Sequence, residues 1–173
     1  MINFHQSKAI RGAAIGLFAF SIALPSLAHA ATAAPKAPGK AKMNTVVLPS
    51  VSAHAGVAPV IGKASGAAPT KLISKDIIVG KGKVAVTSST VTAQYVVASW
   101  KTGVVYQTSW TAQPFTAPLS NLIIGWQQGI PGMKIGGRRL FIIPPALAYG
   151  ASGVGNIPPN ETLIFVVDLL GVK

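Results

Sequence analysis

Residues 125–150 read GWQQGIPGMKIGGRRLFIIPPALAYG, and their reading decides the fold. Extended back to Ser120, the segment SNLIIGWQQG at 120–129 and the Ile130 that follows it set Ile123, Trp126 and Ile130 at spacings of three and four, the period of one helix face. Ser120 stands where an N-cap is expected and Gly129 where a helix stops. Further on, RRLFII at 138–143 is a short apolar run that ends at Pro144-Pro145, which predicts a buried strand followed by a stiff loop. One short helix thus feeds one strand. The stretch holds no Asp, Glu, His, Cys or Ser, so it brings neither a nucleophile nor a general base to a reaction.

Outward from this unit, IIVG at 77–80, VTAQYVVASW at 91–100, VVYQTSW at 104–110 and TLIFVVDLL at 162–170 are rich in Val, Ile, Thr and aromatic residues and are separated by Gly or Pro clusters. Five strands with a single helix set among them predict an α+β domain, an antiparallel five-stranded sheet half-wrapped around the helix, over residues 71–173. At 173 residues the chain has room for one such domain and appendages.

The N-terminal part reads differently. Lys8 and Arg11 precede an apolar run that ends in Ala28-His29-Ala30, which predicts a signal peptide over 1–30 and cleavage after Ala30. The run contains Pro25 and falls short of the roughly 20 residues needed to span a bilayer, so the expected product is exported and not membrane-spanning: extracellular, periplasmic or cell-wall associated. Residues 31–70 carry Ala, Pro and Lys with no acid and no aromatic ring, the composition of a flexible basic linker. Within it TVVLPSV at 45–51 could form an edge strand, interrupted by Pro49.

Charge and composition exclude several chemistries. Fifteen Lys and Arg face only Asp76, Glu161 and Asp168, for a formal net charge of +12. The basic residues are scattered and not interleaved with aromatics, so a solvated basic surface is expected and no specific nucleic-acid site. Arg138 and Arg139 read as a solvated strand end. There is no cysteine, and His5, His29 and His54 all precede the predicted domain, which argues against thiolate chemistry, a His-dependent triad and a metal cluster. No cofactor is implied. GKGK at 80–83 and GMKIGGRR at 132–139 lack the phosphate-cradling patterns.

From Thr102 to Met133 there are 32 consecutive residues without a charged side chain or a histidine, among them Tyr106, Trp110, Phe115 and Trp126. Such a surface builds either a large core or an apolar pocket with hydroxyls and amides as its only polar groups. A pocket of this kind suits a reaction in which no bond is made or broken. Rotation about an Xaa-Pro amide faces a barrier of about 20 kcal/mol. Bringing a step of tens of seconds to about a millisecond takes roughly 6 to 7 kcal/mol, within reach of desolvation and a few hydrogen bonds that favour the twisted amide.

The strings GWQQGIPGMKIGGRR, IIPPALAYG and IPPNETLIFVVDLL resemble those of the FKBP-type peptidyl-prolyl cis-trans isomerases, from about Lys75 to the end of the chain. The resemblance implies that fold and that activity, rotation about Xaa-Pro bonds of unfolded or exported proteins. It also implies tacrolimus- or rapamycin-type macrolides as further ligands, and a monomer. By the same resemblance Trp126 is the pocket floor, under the proline ring, and Tyr149 donates its hydroxyl to the carbonyl before proline. Tyr95 and Gln107 complete the catalytic set. Tyr106, Phe115 and Phe165 are implied as walls, Leu122 and Ile123 as the helix entrance, with the Ile123 N–H binding a substrate carbonyl, and Ile157 as the lip. The chain departs from the family pattern at Tyr106-Gln107-Thr108-Ser109, where an aromatic followed by Asp-Ser-Ser is usual, so the pocket carboxylate is missing. A non-catalytic peptide-binding or chaperone-like module of the same fold is the alternative reading.

Overall fold

The computed structural model describes residues 45–173. The expected signal peptide and the first part of the linker lie outside the described residues. The sheet comprises β1 (Ile73–Ile78), β2 (Thr90–Ser99), β3 (Val105–Thr108), β4 (Phe115–Pro118), β5 (Arg138–Ile143) and β6 (Leu163–Val172), and the one α-helix, α1, spans Ile124–Gly129. The order is β1-β5-β6-β2-β3, with β4 also on β2, and every pairing is antiparallel.

The fold class is the one expected, with six strands in place of five. The added strand, Phe115-Thr-Ala-Pro118, is too short and too close to prolines to show a period of its own. It lies end to end with β3 on one edge of β2: β3 pairs with Val96–Ala98 and β4 with Thr90–Ala93. β1 begins at Ile73, earlier than the run at 77–80 predicts.

Side chains alternate across the sheet, and both faces are buried. Val91, Ala93 and Val97 of β2, Phe141 and Ile143 of β5, and Phe165, Val167 and Leu169 of β6 pack with Trp126 and Ile130 on the helix side. α1 sits very close to β5 because its glycines have no side chain in the way. A Cβ on Gly125 would lie 2.5 Å from Ile143 Cγ2, and one on Gly129 2.5 Å from Phe141 Cε1. The helix begins later than its sequence period suggests. Leu119–Asn121 form a 3-10 turn, anchored by the Leu119 N–H on the Ser89 carbonyl at 3.0 Å, and the N-cap is Ile123 rather than Ser120.

The opposite face carries Ala98, Trp100, Leu140, Ile142, Ile164 and Val166, and the segment before the sheet covers it. Residues 47–65 double back on themselves through Val47↔Ser65 and Val51↔Ile61 bridges, and Leu48, Val51, Ile61 and Ala64 pack onto the face. The part of the expected linker that is described is therefore laid against the sheet, and TVVLPSV pairs with its own return strand, not with the sheet edge. Composition did not reveal this, because the apolar partner of these Val, Leu and Pro residues lies some hundred positions away in sequence.

Arg138 corrects a second expectation. Far from being solvated, it is 0% exposed. Its Nε and Nη2 donate to the two Asp168 carboxylate oxygens at 2.6 and 2.8 Å. Nη1 and Nη2 also donate to the carbonyls of Ser52 and Val57 at 2.9 and 2.7 Å, and the guanidinium stands 5.8 Å from the Trp110 ring centre. The cation thus bonds the covering segment to the sheet. Arg139 points to the other face, where it pairs with Asp76 and donates to the Gly129 carbonyl at 2.7 Å, which ties the end of α1 to β1. Among the described residues, no helix is long and apolar enough to cross a membrane.

Two substitutions separate these arginines. Arg138→Ala strands the buried Asp168 carboxylate and should cost about 3 to 5 kcal/mol, whereas Arg139→Ala breaks a half-exposed pair and should cost about 1 kcal/mol. Denaturant unfolding of the two variants checks the order, and equal losses would contradict the burial argument.

Candidate active site

Between α1 and the sheet lies a cavity of about 90 Å³ lined by Tyr95 and Val97 from β2, Gln107 from β3, Phe115 from β4, Leu122, Ile123 and Trp126 at α1, Tyr149 and Phe165. No lining side chain carries a charge.

Trp126 is 4% exposed and is gripped edge-on by three rings: Tyr95 and Phe165, each with its centre 5.7 Å away, and Phe115 at 6.3 Å, all at interplanar angles of 85–88°. Edge-to-face contacts of this kind suit the quadrupoles of the rings and fix the indole plane. Its Nε1 is buried without a hydrogen-bond partner, so packing alone holds the ring. The turn into α1 is set by the Gln127 amide, which donates to the Leu122 carbonyl at 2.7 Å. Ile123 precedes the first helical turn, where backbone N–H groups have no carbonyl behind them to bond.

Tyr95 is held in register by Ser109, whose hydroxyl accepts the Tyr95 N–H at 2.8 Å and donates to the Gln94 side chain. Tyr149 follows the 3-10 turn Pro145–Leu147, where the proline pair and the Gly150 N–H, bonded to the Pro145 carbonyl at 2.9 Å, stiffen the approach. Burial raises the pKa of both phenols above the ordinary 10.0, and for Tyr95 the nearby Tyr149 adds to the effect. At neutral pH both are therefore neutral hydrogen-bond donors. Gln107 sits opposite Val97 in the β2–β3 ladder and keeps an exposed side.

Of the ten residues singled out in the sequence, eight line the cavity. Tyr106 and Ile157 do not. Tyr106 alternates with Gln107 on β3 and packs half-buried against the core, and Ile157 is buried under the loop that follows Tyr149. Val97 was missed, although its i+2 position from Tyr95 on β2 is a legible signal. Asn156 was missed as well: its amide donates to the Tyr106 carbonyl at 3.0 Å and moors the loop tip to β3. That contact joins residues 50 positions apart and has no sequence signature.

The phenols allow a direct check. In a spectrophotometric titration, Tyr95 and Tyr149 should ionise above 10.0, after the same groups in the unfolded chain. Because the unfolded state then loses its protons first, this contribution to stability is intact below pH 10.0 and declines as pH rises beyond it. Tyr149→Phe should lower the Tyr95 pKa part of the way, since burial, the larger cause, remains. An unmoved Tyr95 titration would mean that the two rings are not neighbours.

Residues 81–170 match the family described as FKBP-type peptidyl-prolyl cis-trans isomerase. The chain is 46% identical over 106 residues to a probable FK506-binding protein of Corynebacterium glutamicum, covering 61% of this chain and 90% of that protein. It is 44% identical over 119 residues to an FK506-binding protein of Streptomyces anulatus, covering 66% and 96%. Its structure resembles the crystal structure of FkpA from Escherichia coli with a TM-score of 0.57 at 40% identity, over 60% of this chain and 49% of that one. With a match over more than half its length and the cavity built as described, the chain belongs to the FKBP-type peptidyl-prolyl cis-trans isomerase family.

Proposed function

We propose that the aromatic cavity binds the proline of an Xaa-Pro segment and lowers the barrier to rotation about its amide bond, and that the clients are unfolded or exported proteins. The observation that carries this reading is the absence of charge from a cavity whose floor is an indole fixed by three other rings. The planar amide is stabilised by resonance and by water, and the twisted form has lost the resonance. A dry apolar site removes water from the ground state and holds the ring while the bond turns.

In this reading Trp126 lies under the proline ring, with Phe115, Phe165 and Val97 around it. The Tyr149 hydroxyl donates to the carbonyl of the residue before proline, and the Ile123 N–H binds a further substrate carbonyl. The Tyr149 and Tyr95 phenols are protonated throughout the physiological range, and burial raises their pKa further. Gln107 offers an amide where a carboxylate is usual in the family: it keeps one acceptor, adds two donors and brings no charge to desolvate. Tyr106 and Ile157 act from behind the cavity wall, by holding β3 and the loop after Tyr149 in place. Tacrolimus- or rapamycin-type macrolides would compete for the same floor. Export follows from the N-terminal sequence, and N-terminal sequencing of secreted protein should give Ala31; an intact Met1 would refute it.

Magnetisation-exchange NMR on a short Xaa-Pro peptide tests the activity. Tyr149→Phe should reduce kcat/KM by about 2- to 12-fold, the worth of one hydrogen bond of about 0.5 to 1.5 kcal/mol, and leave unfolding nearly unchanged. Trp126→Ala should abolish turnover and cost about 3 to 5 kcal/mol of stability. Gln107→Asp should change kcat/KM by less than about thirtyfold. An inert wild type that still binds the peptide would establish the non-catalytic module instead.

A further inference from the structure

Between Tyr149 and β6 the chain forms a loop whose shape is set by its own backbone. At its base the Asn160 N–H bonds to the Gly150 carbonyl at 2.9 Å, and both residues take a positive φ, 57° and 60°. Asparagine and glycine accept this conformation at the least cost. At its tip Val154 and Ile157 exchange both backbone bonds, at 2.8 and 3.0 Å, around Gly155 and Asn156, with Gly155 at φ 53°. The loop is a doubled-back unit, and Tyr149 stands directly before its base.

Little attaches this unit to the rest of the molecule. From Ala151 to Asn160 every residue but Gly153 and Ile157 is exposed. The Ile157 side chain enters the core, and the Asn156 amide donates to the Tyr106 carbonyl at 3.0 Å. Among the described residues, this is the one hydrogen bond that residues 151–159 make to the sheet or to α1. Its acceptor belongs to β3, which ends the strand order and pairs with β2 on one side only. In such an edge strand every second carbonyl points away from the partner and takes its donor from elsewhere. Tyr106 immediately precedes Gln107, which lines the cavity, and the loop leaves from Tyr149, which lines it too. The bond therefore ties together two segments of the cavity wall.

We infer that Asn156 is a positioning residue for Tyr149: by fastening the loop tip to β3 it holds the phenol hydroxyl where it donates to the carbonyl before proline. The inference rests on the isomerase reading for what that hydroxyl meets. A neutral, exposed hydrogen bond contributes modestly to stability, and Ile157 keeps its place in the core without it. Loss of the amide thus frees the tip without unfolding the domain. The tip then turns on the Gly150–Asn160 base, and Tyr149 loses its fixed approach. Because Asn156 acts through the hydroxyl, removing it costs no more turnover than removing the hydroxyl itself.

The test uses the full chain and magnetisation-exchange NMR on a short Xaa-Pro peptide. Asn156→Ala should lower kcat/KM by about 2- to 10-fold, and by no more than Tyr149→Phe does. Asn156→Asp has the shape of asparagine but no donor at neutral pH, and it should show the same loss. Added to Tyr149→Phe, Asn156→Ala should have no further effect, since the hydroxyl it positions is gone. A second readout needs no substrate. With the tip free, Tyr149 is less buried and less close to Tyr95, so the ring resonances of both should show ionisation nearer to the ordinary 10.0 than in the wild type. An equal loss in both backgrounds, full activity in Asn156→Ala or Asn156→Asp, or phenol titrations that stay at their wild-type positions would each overturn the inference. An inert wild type would sink the isomerase reading instead, and the phenol titrations then decide the placement of Tyr149 by themselves.

Discussion

A sheet that is apolar on both faces has to be covered on both faces, and the architecture follows from that constraint. The central strands β2, β6 and β5 are buried over almost their whole length, and exposing either side would forfeit roughly 25 cal/mol for each Å² of apolar surface. One face takes the helix, the other takes the segment before β1. Within the second face stands a single ion pair, Arg138–Asp168, whose remaining donors reach the backbone of the covering segment. Its placement turns a generic apolar contact into a directional one, because those donors are satisfied only when the Ser52 and Val57 carbonyls are in position.

On the first face the demand for close packing creates the site. Gly125 and Gly129 let α1 descend onto Ile143 and Phe141, and this brings Trp126 down among Tyr95, Phe115 and Phe165. A six-residue helix has little stability of its own. It is held by its buried face, by the 3-10 turn before it and by the Arg139 side chain on its last carbonyl. Trp126 and Phe165 thus belong at once to the lining of the cavity and to the core.

The distribution of charge has a comparable division of labour. Every carboxylate of the described residues does internal work, either on an arginine or on a serine hydroxyl. The cavity is lined without charge, and its polar side chains include two neutral phenols, whose pKa burial raises further above the ordinary value, and one amide. The lysines remain outside. A reaction that asks for desolvation and neutral donors is compatible with such a layout, since a charged group in the wall would draw water to it.

The sequence by itself determined the elements that depend on local period and punctuation. RRLFII is strand β5 residue for residue, the long runs at 91–100 and 162–170 are β2 and β6 to within two residues, and the Trp126 helix ends at Gly129 as expected though it begins only at Ile124. Of the ten residues singled out, eight line the cavity; Trp126, Tyr149 and Phe165 stand in the distinctive strings, and the other five come from segments scattered between positions 95 and 123. What only the tertiary structure decided involves partners far apart along the chain: β4 on the edge of β2, the 45–65 segment over the outer face, the burial of Arg138, the mooring of Asn156 on Tyr106, and the packing of Tyr106 and Ile157 with the core outside the cavity lining. An arginine at a strand start reads as solvated until its counter-ion on a neighbouring strand is known, and an Ala- and Pro-rich segment reads as a tether until an apolar face is found for it. Local periodicity fixes which way a side chain points relative to its own strand, but burial depends on what the rest of the chain brings to that side.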